Sequence, residues 1–447
     1  MILKKNNILK VAVSIILALF FTFFAYTCNS NITPLFFIES LVLLSFFNII
    51  IISATDRFNP FSFFLLSVFL GVLDIIFVVI DVRIIDVKYS MHIYEKSLFL
   101  IIVWLTCFLI GYFFKIKNNN PKKIKLFSLV DSFFENSNIN IMLLLGLIIS
   151  GFIAFIIIKT IIALGSINIA MNNFAVFRYN NQGYLTTLMP LLSICSIAFW
   201  ERKNKKLAII SMVLNFVLIS LTGRRGIAIN TVIIPFLVYY NYRVKKINNY
   251  HIFILLIPLM AFILFIGNLR NQQVTLQEEN SGLINFMARI TNTIEFGENV
   301  PDLLYSMKKG RVEFQGFKYS LSGVLGLIPR RVWPNKLESD HSLITSRLVY
   351  YSDITYGKPV GAFGFSYLCF GYVGVIISGL FTGKVTRYLY NWVNNNKNMM
   401  NILIYALTIQ SFLSITNPDS QLKIITISII LITLVILSNI NQKRSKL

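Results

Sequence analysis

Cysteine and histidine are scarce: the 447 residues include four cysteines and three histidines. No two cysteines form a CxxC pair, so the sequence indicates neither a disulfide framework nor a zinc site. The chain also has no P-loop and no GxGxxG fingerprint, the sequence patterns of two common nucleotide-binding sites. We therefore expect neither a metal nor a cofactor.

Charge is also sparse, and acidic residues are the rarer kind. Charged residues make up 13% of the chain, against about 25% in an average soluble domain. There are 19 Asp and Glu against 41 Lys and Arg, a net charge of +22. A nucleic-acid-binding protein would gather its basic residues on a soluble face, and the sequence offers no soluble domain to carry one. We expect no nucleic-acid partner.

Long apolar runs are abundant, and hydrophobic residues make up 56% of the chain. Many runs approach the length of about 20 residues that spans a bilayer as a helix. They are continuous and lack the period-2 alternation of a membrane barrel. The sequence thus predicts an all-α, polytopic integral membrane protein with about twelve transmembrane helices. These are placed at 8–27, 34–54, 61–80, 97–114, 141–163, 184–200, 207–222, 227–241, 251–267, 363–383, 399–416 and 421–441.

The distribution of basic residues predicts the orientation of these spans. With both termini in the cytoplasm, the inner segments carry 22 Lys and Arg, whereas the short outer loops carry six. The first apolar segment is long and closely followed by another, so we expect an anchor rather than a cleaved signal peptide. The net charge is therefore mostly a signal of topology.

One long segment, 268–362, is predicted to lie outside. It carries eleven Lys or Arg and nine of the chain's acidic residues. Long loops in compact proteins are usually functional, and parts of this one have the periodicity of short helices. A surface cap without chemistry is the alternative. The chain then divides into 1–267 with about nine spans, the outer loop 268–362, and 363–447 with about three spans.

Several arginines are predicted on this outer side, although basic residues are usually more frequent in the inner loops of a membrane protein. Arginine binds phosphate bidentately and keeps its charge, so a diphosphate at the outer membrane face is a suitable partner. Snorkelling to lipid phosphates, or pairing with loop carboxylates, is the alternative. The candidates are Arg178, Arg224, Arg225, Arg289, Arg330, Arg331 and Arg347.

His341 is the histidine of the long loop. Ser339 and Asp340 precede it and are good helix N-cap types, and the following residues suit a short helix. A helix N-terminus favours the neutral imidazole, which suits a general base. Asp340 and Glu338 compete for that role, and a solvated histidine without chemistry is the alternative.

The stretch IPRRVWPNK (328–336), followed by a histidine and by the glycine-rich GAFGFSYLCFGYVGVIISG (361–379), resembles the Wzy-type polysaccharide polymerases. The many spans and the late, arginine-bearing outer loop resemble that family too. A repeated pattern in some members, an arginine followed ten residues later by a glycine, cannot be placed in this chain.

The resemblance implies a metal-independent glycosyltransferase that joins undecaprenyl-diphosphate-linked repeat units into O-antigen or capsule polysaccharide at the outer face. It implies catalytic roles for His341, Arg330 and Arg331, and sugar or diphosphate contacts for Trp333 and Lys336. The implied partners are the lipid-linked glycans, the bilayer, a chain-length regulator and a flippase.

Two rival functions remain open at the level of sequence. A lipid-linked oligosaccharide flippase can also have about twelve spans, but its polar groups should lie within the spans. An O-antigen ligase shares the architecture and the donor, and uses lipid A core as its acceptor. The gathering of polar residues in one outer loop favours the polymerase over the flippase.

Overall fold

The computed structural model describes part of the chain. The described residues are 33–53, 58–60, 72, 75, 89–114, 130–131, 134, 140–165, 189–221, 228–247, 299–326, 328, 332–333, 335, 337–338, 340–350, 357 and 359–444.

Across these residues the secondary structure is helical and contains no strand. This confirms the all-α fold class. The helices are α1 (Pro34–Ser53), α2 (Met91–Phe113), α3 (Asn140–Leu164), α4 (Pro190–Glu201), α5 (Lys205–Ser220), α6 (Ile234–Tyr239), α7 (Asn299–Lys308), α8 (Phe317–Ser320), α9 (Ser322–Leu325), α10 (His341–Tyr350), α11 (Gly361–Asn395), α12 (Met399–Leu413) and α13 (Pro418–Arg444). Single π-helical turns, Ile229–Ile233 and Tyr240–Val244, flank α6.

Four apolar helices in the described part are long enough to cross a membrane: Met91–Phe113, Gly146–Ala163, Gly361–Asn395 and Pro418–Ile436. Shorter apolar helices occur at Pro34–Ser45, Pro190–Glu201 and Met399–Leu413. The spans predicted at 8–27 and 251–267 lie outside the described residues. The described part is thus all-helical and contains four helices that could cross a membrane, whereas the count of about twelve spans and the outer placement of 268–362 stay predictions.

Several helix starts are set by short polar side chains. The Asn204 side chain accepts a hydrogen bond from the Leu207 amide at the start of α5, 3.4 Å away. The Asn398 side chain does the same for the Asn401 amide at the start of α12, at 2.8 Å. Each such cap satisfies an amide that the helix itself leaves unpaired. The short polar stretches that separate the apolar runs therefore also contain the residues that cap the next helix.

The described residues fall into two compact units. The first contains the described parts of 1–115, 278–387 and 412–421, and the second those of 116–277, 388–411 and 422–447. The first unit has a large core of aromatic and aliphatic side chains, with Trp104 and Phe108 fully buried at its centre.

Helices α2 and α11 pack at very short range in the first unit. A Cβ atom added to Gly383 would lie 2.1 Å from the carbonyl oxygen of Phe108, and one added to Gly111 would lie 2.2 Å from that of Leu380. Gly379 and Gly383 form a GxxxG pattern, which lets two membrane helices approach backbone to backbone. The Trp104 indole donates to the Ser378 hydroxyl across this contact, at 2.9 Å.

Helix α11 is interrupted near its first third. Phe370 has φ −137° and ψ 17°, and Gly371 has φ 61° and ψ −149°. A positive φ is accessible to glycine because it has no Cβ atom. The interruption leaves carbonyl groups that the helix would otherwise pair: the amides of Gln315 and Gly316 donate to Leu368 O and Cys369 O, at 3.0 and 2.9 Å. A loop segment therefore replaces the missing turn.

The second unit has its own apolar core, formed by α3, α4, α5 and the helical segment around α6. A polar cluster also lies in this unit. Arg243 approaches Glu201 at 3.2 Å and Asp131 at 3.7 Å, and the Asp131 carboxylate accepts a hydrogen bond from the Met399 amide at 2.7 Å. Three of these residues lie in segments predicted to be cytoplasmic and Met399 begins a span at its predicted inner end, so the contacts join segments predicted on one side; which side that is stays a prediction.

Candidate functional site

His341 is the first residue of α10, where the sequence placed it. The Asp340 carboxylate accepts hydrogen bonds from the amides of Ser342 and Leu343, at 3.1 and 3.4 Å, and from the Ser342 hydroxyl at 2.5 Å. Asp340 is therefore the N-cap of this helix, as predicted. All three bonds engage Oδ1, so one oxygen of this carboxylate serves the start of the helix.

The imidazole of His341 faces a carboxylate from the other end of the chain. His341 Nδ1 lies 2.6 Å from Asp419 Oδ1. Since a carboxylate is an acceptor, the neutral imidazole donates its Nδ1 proton and carries its lone pair on Nε2. This is the arrangement in which a histidine serves as a general base with its tautomer fixed by an acid.

Asp419 is held by the start of α13. It lies in the first turn of that helix, where the macrodipole favours negative charge. The Phe365 ring meets the His341 ring edge to face, with the ring centroids 6.1 Å apart. Both members of the pair are largely buried, with side-chain exposures of 14% for His341 and 22% for Asp419. Their contact is therefore shielded from solvent, and its electrostatic effect is stronger than at an open surface.

The turn before α13 is tied to its surroundings by further hydroxyl contacts. Ser366 donates to Thr416 at 3.2 Å, and the Ser414 and Ser420 hydroxyls lie 2.7 Å apart. A Cβ atom on Gly357 would lie 2.3 Å from the Ser342 hydroxyl, so residue 357 lies against the first turn of α10. The His341 imidazole thus lies at the start of α10 and the Asp419 carboxylate at the start of α13.

Two other predicted site residues are described, Arg347 and Trp333. Arg347 Nη1 lies 3.8 Å from Glu338 Oε2, so the guanidinium pairs with a carboxylate of the same loop. The Arg347 side chain remains 44% exposed, which leaves room for an anion beside it. Trp333 is exposed. Glu338, the other competing base, is thus engaged by a cation.

The remaining predicted site residues lie outside the described residues. They are Arg178, Arg224, Arg225, Arg289, Arg330, Arg331 and Lys336. In the described part, no group of three His, Cys, Asp or Glu side chains is arranged to hold a metal ion. The chemistry without a metal stays a prediction.

A second polar contact in the same unit joins the start of α2 to α7. The Tyr89 hydroxyl donates a short hydrogen bond to Asp302, and the Tyr89 and Tyr305 rings lie 4.5 Å apart. Burial, and next the bond to Asp302, raise the pKa of Tyr89 above its ordinary value. Asp302 is itself buried. This contact fixes α7, the first described helix of the long loop, against the membrane helix α2.

Asp419 is the site residue that the sequence analysis missed. It lies 78 residues from His341 and in a separate predicted turn, and no local pattern joins the two. One signal was present: Asn417, Pro418 and Asp419 form a polar, helix-starting break between two apolar runs, on the side predicted for His341.

The fold and the site together define the class as a polytopic helical membrane protein. A histidine–carboxylate pair joins its long polar segment to the start of its last helix. The chain belongs to the O-antigen polysaccharide polymerase Wzy family, whose sequence profile matches residues 11–444. This confirms the resemblance seen in the sequence.

Two curated relatives are similar over part of the chain. Both are named O-antigen polymerase, one from Salmonella typhimurium (strain LT2) and one from Salmonella typhi. Each is 28% identical over 250 residues, covering 52% of this chain and 57% of the relative. The chain thus spans just over half the length of these relatives. No solved structure matches the chain.

Proposed function

We propose that the protein joins undecaprenyl-diphosphate-linked oligosaccharide repeat units into a surface polysaccharide at the outer face of the cytoplasmic membrane. The observation that carries this proposal is the 2.6 Å contact between His341 Nδ1 and Asp419 Oδ1, in a chain of the Wzy family. It supplies a buried, oriented base next to a segment rich in arginine, as transfer from a lipid diphosphate requires.

In the proposed reaction, a hydroxyl oxygen of the acceptor repeat unit attacks the anomeric carbon of the growing chain. The bond from that carbon to the diphosphate oxygen breaks, and undecaprenyl diphosphate leaves with the electron pair. The hydroxyl proton passes to Nε2 of His341, and the Asp419 carboxylate stabilises the imidazolium that forms. No redox step and no metal are needed to balance this exchange.

The leaving diphosphate needs positive charge where its own charge develops. We assign this role to Arg330 and Arg331. Arg347, which follows them in the sequence and lies on α10, is assigned the same role. Glu338 would then act as a counter-ion that holds the Arg347 guanidinium until an anion arrives. Replacing Arg330 and Arg331 together by Ala should abolish long polymer, whereas Lys should restore only part of it, because Lys is not bidentate.

The pairing of contacts within the first unit supports the placement of these segments on one common side of the membrane. His341 contacts Asp419, Tyr89 contacts Asp302, and Thr33 donates to Glu95 in a short hydrogen bond. In each pair, both residues come from segments, or from the ends of spans, predicted on the outer side. A contact between an inner and an outer segment would have contradicted the topology.

His341 variants test the proposal directly. Purified protein in liposomes is given lipid-linked repeat units, and polymer length and rate are followed on gels. His341→Ala should lower the rate by about 10²–10⁴-fold, with substrate binding retained. His341→Gln should be nearly as slow, because glutamine can hydrogen-bond but cannot accept the proton. An unchanged rate in both variants, at normal protein level, would refute the role of His341.

The surface glycan of a strain that lacks the protein separates the candidate functions. Single capped repeat units would indicate a lost polymerase. A complete loss of glycan would indicate a flippase, and lipid-linked polymer left unattached would indicate a ligase.

A further inference from the structure

The segment 308–325 presents large apolar side chains outward. Phe314 is 59% exposed and Phe317 is 74% exposed, and Leu321 and Val324 are also exposed. These residues lie on a loop and on the two short helices α8 and α9, which are too short to cross a membrane. A soluble surface would rarely gather four such side chains within eleven residues.

Hydrogen bonds and close packing fix the segment 308–325 against α11 and α13, so its apolar side chains are exposed on a packed part of the structure. Its backbone completes the interrupted part of α11 through the two amide bonds to Leu368 and Cys369. The Gln421 side chain donates to Ser320 O at 2.6 Å. A Cβ atom on Gly323 would lie 1.9 Å from Pro418 O, so α9 lies directly against the start of α13.

The apolar surface continues onto a membrane helix. The Phe317 and Phe370 rings meet edge to face with centroids 4.8 Å apart, and Phe314 approaches the backbone of Gly371. Val373, in the next turn of α11, is also exposed. In a helix long enough to cross a bilayer, exposed residues of this kind face lipid. The same lipid-facing surface therefore extends from α11 onto the segment 308–325.

Basic side chains border the apolar ones. Lys308, Lys309, Arg311 and Lys318 are all exposed in this segment, and Glu313 is its acidic residue. The Lys309 and Lys318 ammonium groups lie over the rings of Tyr305 and Tyr319, at 5.7 and 5.2 Å. Aromatic and apolar groups flanked by basic ones match the boundary between acyl chains and anionic headgroups.

We propose that the segment 308–325 is an interfacial anchor. It inserts Phe314, Phe317, Leu321 and Val324 into the acyl region of the outer leaflet, while its basic residues contact the phosphates of anionic phospholipids. The anchor contacts α13 through Ser320 and Gly323, within two residues of Asp419. It thereby fixes the depth of the histidine–carboxylate pair near the headgroups, a consequence that rests on the proposed function.

Site-directed spin labelling in anionic phospholipid nanodiscs tests the anchor. The native cysteines are removed from the full chain, and single cysteines replace Phe317 or Leu321. Val373→Cys on α11 serves as the lipid-facing reference, and Lys309→Cys as the reference in the headgroup and water region. Collision rates with oxygen and with a water-soluble nickel complex then report depth, independently of any enzymatic activity.

Labels at 317 and 321 are expected to match the label at 373, with oxygen collisions exceeding nickel collisions. If both match the label at 309 instead, the segment lies in water and the anchor is wrong. If both are immobile and inaccessible to either reagent, protein rather than lipid covers the surface, and the anchor is again wrong. Because polymer synthesis is not measured, failure here leaves the proposed function untouched, and failure of His341 variants leaves the anchor untouched.

Discussion

At the scale of single residues, the two aspartates near His341 have different tasks. Asp340 accepts hydrogen bonds from the backbone amides of α10, while Asp419 faces His341 Nδ1. A cap needs only an oxygen acceptor, and asparagine provides one about as well as aspartate. Orientation and stabilisation of an imidazolium need the negative charge. The same substitution at the two positions should therefore have different consequences.

We predict that Asp419→Asn slows polymer formation by about 10²–10⁴-fold, a loss comparable to that of a general base. Asp340→Asn, the matched control, should keep both the rate and the thermal stability near those of the wild type. Initial rates, with binding of the lipid-linked substrate measured separately, distinguish a slow reaction from a lost site. A severe loss in Asp340→Asn together with a normal rate in Asp419→Asn would reverse the assignment of the base and its partner.

A second prediction concerns the Tyr89–Asp302 contact. Tyr89→Phe removes a donor to a buried carboxylate, and hydrogen bonds to charged groups contribute about 1.5–3 kcal/mol. Because Tyr89 is only partly buried, we expect a loss near the lower end of that range. The loss should appear as a lower unfolding midpoint in detergent at neutral pH.

The contribution of the Tyr89–Asp302 contact to the free energy of unfolding should also depend on pH. The folded state raises the pKa of Tyr89, so its contribution to stability is complete below the ordinary tyrosine pKa of about 10. Above that pH the unfolded chain loses the proton more readily, and stability falls as pH rises. Tyr89→Phe should lack that part of the alkaline decline. Parallel curves for wild type and variant up to pH 11 would contradict the pKa shift.

At the scale of elements, the close contact between α2 and α11 depends on glycine. A Cβ atom on Gly383 would meet the backbone of Phe108, which cannot move as a side chain can. Overpacking of this kind typically costs about 1–3 kcal/mol. Gly151 in α3 has nothing within 4 Å of its Cβ position, and alanine is a better helix former there by about 1 kcal/mol.

We predict opposite effects of the same substitution at these two glycines. Gly383→Ala should lower the unfolding midpoint in detergent, and Gly151→Ala should leave it unchanged or raise it. Fluorescence-detected size exclusion after heating measures both on the same scale. A stable Gly383→Ala protein would show that the two helices separate without cost, against the packing described for them.

The elements differ in how far the sequence could predict them. Continuous apolar runs predicted helices at 97–114, 141–163 and 363–383, and the structure has them at Met91–Phe113, Asn140–Leu164 and Gly361–Asn395. The apolar parts and the N-cap at Asp340 depend on local signals, whereas the polar extensions 91–96 and 384–395 were missed because they lie outside the apolar runs. The interruption of α11 at Phe370 was not predictable in the same way. The carbonyl groups that it leaves open are paired by the amides of Gln315 and Gly316, a contact between residues more than fifty positions apart.

The site shows the same division. His341 was predicted as a candidate base because a histidine after a capping residue is a local pattern, whereas its contact with Asp419 depends on how the start of α13 packs against the loop. The close packing of Gly379 and Gly383 against α2 was not predicted, because the sequence does not show which helix lies beside them. Adjacent residues are enough to identify a candidate base or a helix cap. A contact between residues that are distant in the sequence becomes visible only in the packed structure.

At the scale of the whole molecule, the orientation in the membrane is the remaining prediction, and labelling of single cysteines tests it. Ser322 is a natural choice within the long loop, but it is fully buried, so a reagent would miss it on either side. Lys309 is exposed in that loop, and Lys384 is exposed on α11 in the stretch predicted to be cytoplasmic. Both belong to the same compact unit, which makes them a matched pair.

With the native cysteines removed, Lys309→Cys should react with an impermeant thiol reagent in intact cells from which the outer barrier has been stripped. Lys384→Cys should react only after the cytoplasmic membrane is opened, because the excess of basic residues keeps its segment inside. A normal level of polysaccharide in each variant shows that the protein is correctly inserted. The reverse pattern of labelling would place His341 and Asp419 in the cytoplasm, away from outward-facing lipid diphosphates, and the proposed polymerase site would then be untenable.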